Sequence, residues 1–228
     1  MNVAIIVAAG SSRRMGDACT DKLMLKIDGI EVLARAMQQY ERATTIERIY
    51  VVTSKERFAA VERLAKDYNI QKFAGVAEGG ATRQQSVQNG LNACPEASIV
   101  SIADGARPFT KPTLIDAVNA AAKEYGGALL CVPLKDTVKV RSTNGFVKHT
   151  PPRETLLAAQ TPQAFKKALF TELMQRSIDE NKVVTDDASI FEMYDQRVYP
   201  VIGDYDNIKI TTAEDIALAE AIAGKEKL

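Results

Sequence analysis

The sequence predicts an α/β protein with a mostly parallel sheet and helices on both faces, and three observations point there. Short apolar or β-branched runs recur at 3–8, 48–53, 98–103, 127–133 and 197–202, most of them separated by segments with helical spacing. That alternation marks βαβ units, whose crossover helices cover a parallel sheet on both sides. Helix starts carry polar caps and first-turn acids where the alternation requires them. The third observation is an interruption. Residues 135–150 alternate polar and apolar types about Asn144-Gly145, the strongest short-range hairpin signal.

In chain order, Val3-Ala4-Ile5-Ile6-Val7-Ala8 is the first strand. Val32, Leu33, Ala36, Met37 and Tyr40 share one face of a first helix, and Phe58, Val61, Leu64, Ala65 and Tyr68 one face of a second. Thr82-Arg83-Gln84-Gln85 has capping-box form ahead of a helix carrying Val87 and Leu91. Thr212-Ala213-Glu214-Asp215 places acids in the first turn of the last helix. A lone hairpin is only marginally stable, so the 135–150 segment must pack on something. Two placements are open: a protruding arm that docks on a second subunit, or an antiparallel edge added to the same sheet.

With 228 residues, 46% of them hydrophobic, the chain can bury a core without metal or disulfide staples. Its length predicts one domain over 1–228, with a β-arm at about 135–150. Lysine plus arginine equals aspartate plus glutamate at 29 each, which argues against a general nucleic-acid binder. The single histidine, His149, and the scattered Cys19, Cys94 and Cys131 exclude a paired His/Cys zinc site. They also leave any Ser-His-Asp triad resting on one candidate base. Three cysteines cannot all pair and are read as buried thiols of a reducing compartment. The first apolar run is too short for a membrane span, so the expectation is a soluble, cytoplasmic protein without a membrane partner.

Four regions carry candidate chemistry. Ala8-Ala9-Gly10-Ser11-Ser12-Arg13-Arg14-Met15-Gly16 follows the first strand, where small residues let backbone amides approach a phosphate and arginines clamp its oxygens. It is neither GxGxxG nor a Walker loop, and Lys22 follows it closely. Gly79-Gly80, before the Thr82 helix start, forms either a cradle for a nucleobase or phosphate or an ordinary capped loop. Asp104 ends a buried strand with Arg107 three residues on; it either holds a hard cation such as Mg²⁺ or caps the next turn and pairs with Arg107. The fourth region comprises Pro151-Pro152-Arg153, Gln160-Thr161-Pro162-Gln163, Thr185-Asp186-Asp187 and Asn207-Ile208-Lys209-Ile210. Asp186-Asp187 reads as a helix N-terminus before a two-metal pair. The apolar alternation about Lys209 fixes that side chain on one face of a strand.

In this order, AAGSSRRMG, DKL, GGATRQQSVQNGL, DGARP, PLKDT, QTPQAF, TDDAS and NIKIT resemble the 2-C-methyl-D-erythritol 4-phosphate cytidylyltransferase family, from about residue 3 to residue 219. The resemblance implies a Rossmann-like nucleotidyltransferase domain with a β-arm swapped in a homodimer, taking CTP, a polyol phosphate and Mg²⁺. Carried over by position, it assigns Arg14 and Lys22 to stabilising charge on the reacting triphosphate. Arg153 and Lys209 would position the methylerythritol phosphate. Ala8, Ala9 and Gly10 would surround the phosphates, Gly80 and Ser86 would hold the cytidine, and Asp104, with Gly105 beside it, would sit at the nucleotide and its magnesium. Arg107, Thr137, Thr161 and Thr185 would complete the second substrate's contacts, some across the dimer.

Departures from the family pattern are Ser12 for a loop glycine, Asp21 for the proline before Lys22, and Ala103 and Gly105 flanking the acid. The Asp21 change is expected to loosen the lysine loop. Two other readings stay open: transfer of CMP to ribitol 5-phosphate, and a non-catalytic nucleotide-binding module of the same fold.

Overall fold

The computed structural model describes residues 1–10 and 21–225. Strand β1 (Asn2–Val7) sets the layout, because Val3, Ala4, Ile5 and Ile6 are all fully buried. Ala4 and Ile6 join the apolar cluster that includes Leu33, Met37, Tyr40, Ile115 and Ile222, while Val3 and Ile5 join the one with Val87, Leu91, Phe165, Phe170 and Phe191. A strand covered on both faces this way has no buried polar positions to spare, and its four buried residues are all apolar.

A small ribbon, β2 (Lys26–Ile27) and β3 (Ile30–Glu31), leads into α1 (Val32–Arg42), and β4 (Arg48–Thr53) follows. Next come α2 (Phe58–Asp67), β5 (Phe73–Glu78), α3 (Arg83–Ala93) and β6 (Ile99–Asp104). Helix α4 (Pro112–Tyr125) has proline at its first position and ends on Gly126 at φ 96°, the usual start and stop chemistry. Then β7 (Gly127–Pro133) precedes a second ribbon, β8 (Val140–Arg141) and β9 (Val147–His149). The chain closes with β10 (Leu157–Lys166), α5 (Lys167–Asp179), α6 (Ala188–Met193), β11 (Tyr199–Ile202) and α7 (Glu214–Lys225).

The main sheet has seven strands in the order β11-β7-β10-β6-β1-β4-β5. Strand β10 runs antiparallel to both neighbours, and every other pairing in the sheet is parallel. The expected mostly parallel sheet with helices on both faces is present, and all five sequence-derived runs are strands.

Three details differ from the sequence reading. Strands β5 and β10 were not expected: β5 holds Gly75 and two alanines, and β10 contains Gln160-Thr161-Pro162-Gln163. The β10–β7 register shifts between Ala159 and Gln163, where Pro162 has no N–H to donate. The hairpin at 135–150 is a separate two-stranded sheet, paired only over the short β8 and β9, so the added-edge placement is ruled out. The segment carrying Lys209 is not a strand. It is held instead by Ile210, fully buried, whose N–H donates to Ala106 O at 2.9 Å, and by Ile208 packed on the same core.

Candidate functional site

The carboxyl ends of β1 and β6 meet at a cavity of about 360 Å³. Ligands of open α/β sheets bind at this edge. Val7 pairs in register with Asp104, so the two strands finish together and leave the Ala8-Ala9-Gly10 loop and the Asp104 carboxylate side by side. The rest of the wall comes from Lys22, Leu23, Gly80, Ala81, Thr82, Arg83, Ser86, Ala106 and Lys209.

Three contacts fix the two small-residue loops. Thr53 Oγ1 and Arg57 Nη1 donate to Ala8 O, and Gly79 N–H donates to Thr53 O. A Cβ at Gly79 would lie 2.3 Å from Ala9 Cβ, so only glycine permits this approach. Ser86 Oγ accepts from Gly80 N–H and donates to Thr82 O, which locks the turn before α3. The capping box forms with a one-residue offset. Thr82 Oγ1 accepts from Gln85 N–H, while Gln85 Oε1 accepts from Ala81 N–H rather than from the cap itself.

Lys22 does not hang loose. Its Nζ donates to Ile210 O at 3.0 Å, bringing it next to Lys209 in space. Asp21 Oδ1 accepts from Leu23 N–H, and Asp21 Oδ2 lies 2.6 Å from Arg57 Nε. Because Arg57 also holds Ala8, the aspartate that replaces proline ties the lysine loop to the phosphate loop. The loosening expected from the sequence does not occur.

Asp104 is the one carboxylate in the cavity wall among the described residues, and three cations surround it. Lys209 Nζ lies 2.7 Å from Oδ2, Arg107 Nε 3.9 Å from Oδ2, and Arg83 Nη2 3.7 Å from Oδ1. Thr161 Oγ1 accepts from Asp104 N–H at 3.0 Å. Burial alone would push this carboxyl up; Lys209, Arg83 and Arg107 more than reverse that and hold it below the ordinary value. With Lys22, Arg83 and Lys209 against a single acid, the cavity wall suits a polyanion.

Of the sequence candidates, Ala8, Ala9, Gly10, Lys22, Gly80, Ser86, Asp104 and Lys209 share this cavity. Gly105 sits beneath it, its N–H donating to Val7 O, and Arg107 is half-buried beside Asp104, its Nη1 donating to Asn207 O. Thr161 supports Asp104 from β10. Thr137 and Arg153 lie at the exposed arm, Arg153 Nη1 donating to Lys135 O at 2.8 Å, and Thr185 meets Ser189 at the start of α6; none of these three lines the cavity. Arg14, Ser12 and Cys19 lie outside the described residues. Cys94 and Cys131 are buried free thiols, as expected.

The sequence reading left out Arg83, taken there only as part of a helix start. Asp187, read as a helix N-terminus, was also left out as a site residue, although its carboxylate lies 2.7 Å from Arg83 Nη1. The capping work falls to its neighbour: Asp186 Oδ1 accepts from Ser189 N–H.

The sequence profile of 2-C-methyl-D-erythritol 4-phosphate cytidylyltransferase matches residues 2–225. The chain belongs to that family. It is 41% identical to the enzyme of that name from Clostridium novyi over 222 residues, covering 97% of this chain and 96% of the relative. It is 42% identical to the one from Syntrophotalea carbinolica, covering 97% and 96%. A crystal structure of 4-diphosphocytidyl-2C-methyl-D-erythritol synthase from Anaerococcus prevotii superposes with a TM-score of 0.88 at 32% identity, over 98% of this chain and 96% of that one. Membership in the cytidylyltransferase family makes this chain a nucleotidyltransferase, and the NAD-type fingerprint that it lacks is not needed. No helix among the described residues is long and apolar enough to cross a membrane.

Proposed function

We propose that the cavity joins CTP to 2-C-methyl-D-erythritol 4-phosphate, releasing pyrophosphate, in non-mevalonate isoprenoid precursor synthesis. The observation that carries the reading is the placement of Lys22 and Lys209 in one cavity wall with the Asp104 carboxylate at the end of β6, Lys209 Nζ lying 2.7 Å from its Oδ2. A phosphate oxygen of the second substrate attacks the α-phosphorus of CTP in line with departing pyrophosphate. Both partners are anions, and the attacking oxygen is already ionised at neutral pH, so the work is alignment and charge cancellation rather than proton removal. A protein with one histidine, placed on the arm, can perform that chemistry.

Residue roles follow from position. The Ala8-Ala9-Gly10 loop brings backbone close to the nucleotide, and the Gly79-Gly80 turn, its own N–H groups bonded to Thr53 O and Ser86 Oγ, shapes the wall beside it. Lys22 faces the charge that develops on the triphosphate, a role the family resemblance also gives to Arg14, and Lys209 receives the incoming phosphate. Asp104 suits Mg²⁺, which binds through one or two carboxylates plus substrate phosphates rather than in an all-protein cage. No cluster of three or more potential ligand side chains occurs among the described residues, which fits that mode. When bound, the ion supplies further neutralisation of phosphate charge.

The arm belongs to a homodimer in this proposal. Phe146 and Val147 are exposed on a ribbon too small to stand alone, and Thr137 and Arg153 lie away from their own cavity. Docked on a second copy, the arm would carry both residues to the partner's polyol phosphate. The test is pyrophosphate release by the purified protein with CTP, Mg²⁺ and each polyol phosphate in turn. Release with methylerythritol phosphate and none with ribitol 5-phosphate is expected; the reverse preference would overturn the assignment, and CTP binding without release would favour the non-catalytic alternative.

A further inference from the structure

We propose that Arg83 is a nucleotide-binding residue of this cavity and that the buried Asp187 is the positioning residue that aims it. Arg83 opens α3 and lines the cavity between Gly80 and Asp104. Its two terminal nitrogens do different things. Nη1 donates to Asp187 Oδ1 at 2.7 Å, a full hydrogen bond, whereas Nη2 stands 3.7 Å from Asp104 Oδ1, beyond hydrogen-bond reach. One edge of the guanidinium is therefore anchored, and the other faces the cavity with a donor to give to a phosphate or carbonyl oxygen.

The anchor is rigid. Asp187 is 1% exposed, and its Oδ2 has no hydrogen-bond partner among the described residues, so Arg83 is the group that compensates it. The segment bearing Asp187 is clamped from β10: Gln163 Nε2 donates to Asp186 Oδ2, and Gln163 Oε1 accepts from Ala188 N–H, each at 2.8 Å. A carboxylate held this firmly behind a binding arginine limits the rotamers the arginine must give up when the ligand arrives. The same anchor holds Arg83 at ion-pair distance from Asp104 without a hydrogen bond to it, and the close contact on that carboxylate is made by Lys209.

This inference rests on CTP being the nucleotide, and calorimetric titration with CTP, alongside steady-state kinetics, tests it. Arg83→Gln should weaken CTP binding about ten-fold or more, the size of one lost charge-assisted hydrogen bond, with the KM for the polyol phosphate little changed. Asp187→Asn, which keeps the shape and drops the charge, should weaken CTP binding several-fold in the parent and add nothing in the Arg83→Gln background. Should Asp187→Asn not fold, Arg83→Lys serves instead: it keeps the charge but cannot span both carboxylates, and should lose CTP affinity nearly as Arg83→Gln does. Parent-like CTP affinity in Arg83→Gln or Arg83→Lys, or an Asp187→Asn loss of equal size in both backgrounds, overturns the proposal while leaving the cytidylyltransferase reading intact. A parent protein that binds no CTP overturns both.

Discussion

Lys209 Nζ lies 2.7 Å from Asp104 Oδ2, so the acid that ends β6 takes its counter-charge from a loop just before the last helix. The contact joins the two ends of the site. Lys22 meets the same loop at Ile210 O, and three distant stretches of chain thereby share one charged cluster.

Lys209→Met should still fold, because Arg83 and Arg107 remain beside Asp104, but it should melt below the parent, since the buried carboxylate loses its nearest counter-charge. Turnover should fall by about 10²–10³, as expected when one positioned charge donor is lost. Pyrophosphate release and a melting curve on the same preparation check both halves.

Thr161→Val removes the acceptor for Asp104 N–H without changing side-chain volume much. An unpaired backbone donor at that depth costs about 1–3 kcal/mol, and the freed strand end should misalign Asp104. Thr161→Ser restores the hydroxyl and should recover most of both losses. Chemical denaturation and kcat measured on the pair separate this from a packing effect, which serine would not rescue.

Gly90→Ala tests a close approach outside the cavity. A Cβ there would lie 2.5 Å from Ile5 Cγ2 and 3.0 Å from Val52 Cγ2, both short branches fixed near the backbone. Alanine gains about 1 kcal/mol in helix propensity but overpacks by about 1–3 kcal/mol. Net destabilisation is expected, seen as a lower melting temperature, with CTP affinity unchanged below the transition.

The pH dependence of Arg83→Gln follows from Asp187. Burial pushes this carboxyl up, and Arg83 pulls against it; removing Arg83 lets it rise further. A carboxyl raised in the folded state binds its proton more tightly there than in the unfolded chain, so its favourable contribution is complete below about pH 4 and is lost as pH rises through the folded value. Relative to the parent, Arg83→Gln should therefore lose thermal stability steadily from about pH 4 towards neutrality. The trend should vanish in Arg83→Gln/Asp187→Asn; its persistence there would assign it to another group.

Much of the fold was legible because its signals are local. The uninterrupted apolar run of β1 and the spacing of Val32 to Tyr40 can be read without knowing any neighbour. Strand β10 could not: its Gln160, Thr161 and Gln163 are polar because they serve buried acceptors and donors on Asp104, Asp186, Ala188 and Asn207, and those partners come together only after folding. The site divides the same way. Lys22, Asp104 and Lys209 lie in motifs whose order matches the family, and the structure places them together. Arg83 looks like any helix-opening residue, and Asp187 like any first-turn acid. Their pairing spans 104 positions, and no local pattern records it.

A crystal structure with CTP and Mg²⁺ bound tests the central claim most directly. The account predicts the triphosphate against the Ala8-Ala9-Gly10 loop within hydrogen-bond reach of Lys22 and Arg83, with a cation on Asp104. A nucleotide seated elsewhere, with Lys22 and Lys209 directed away from its phosphates, would contradict it.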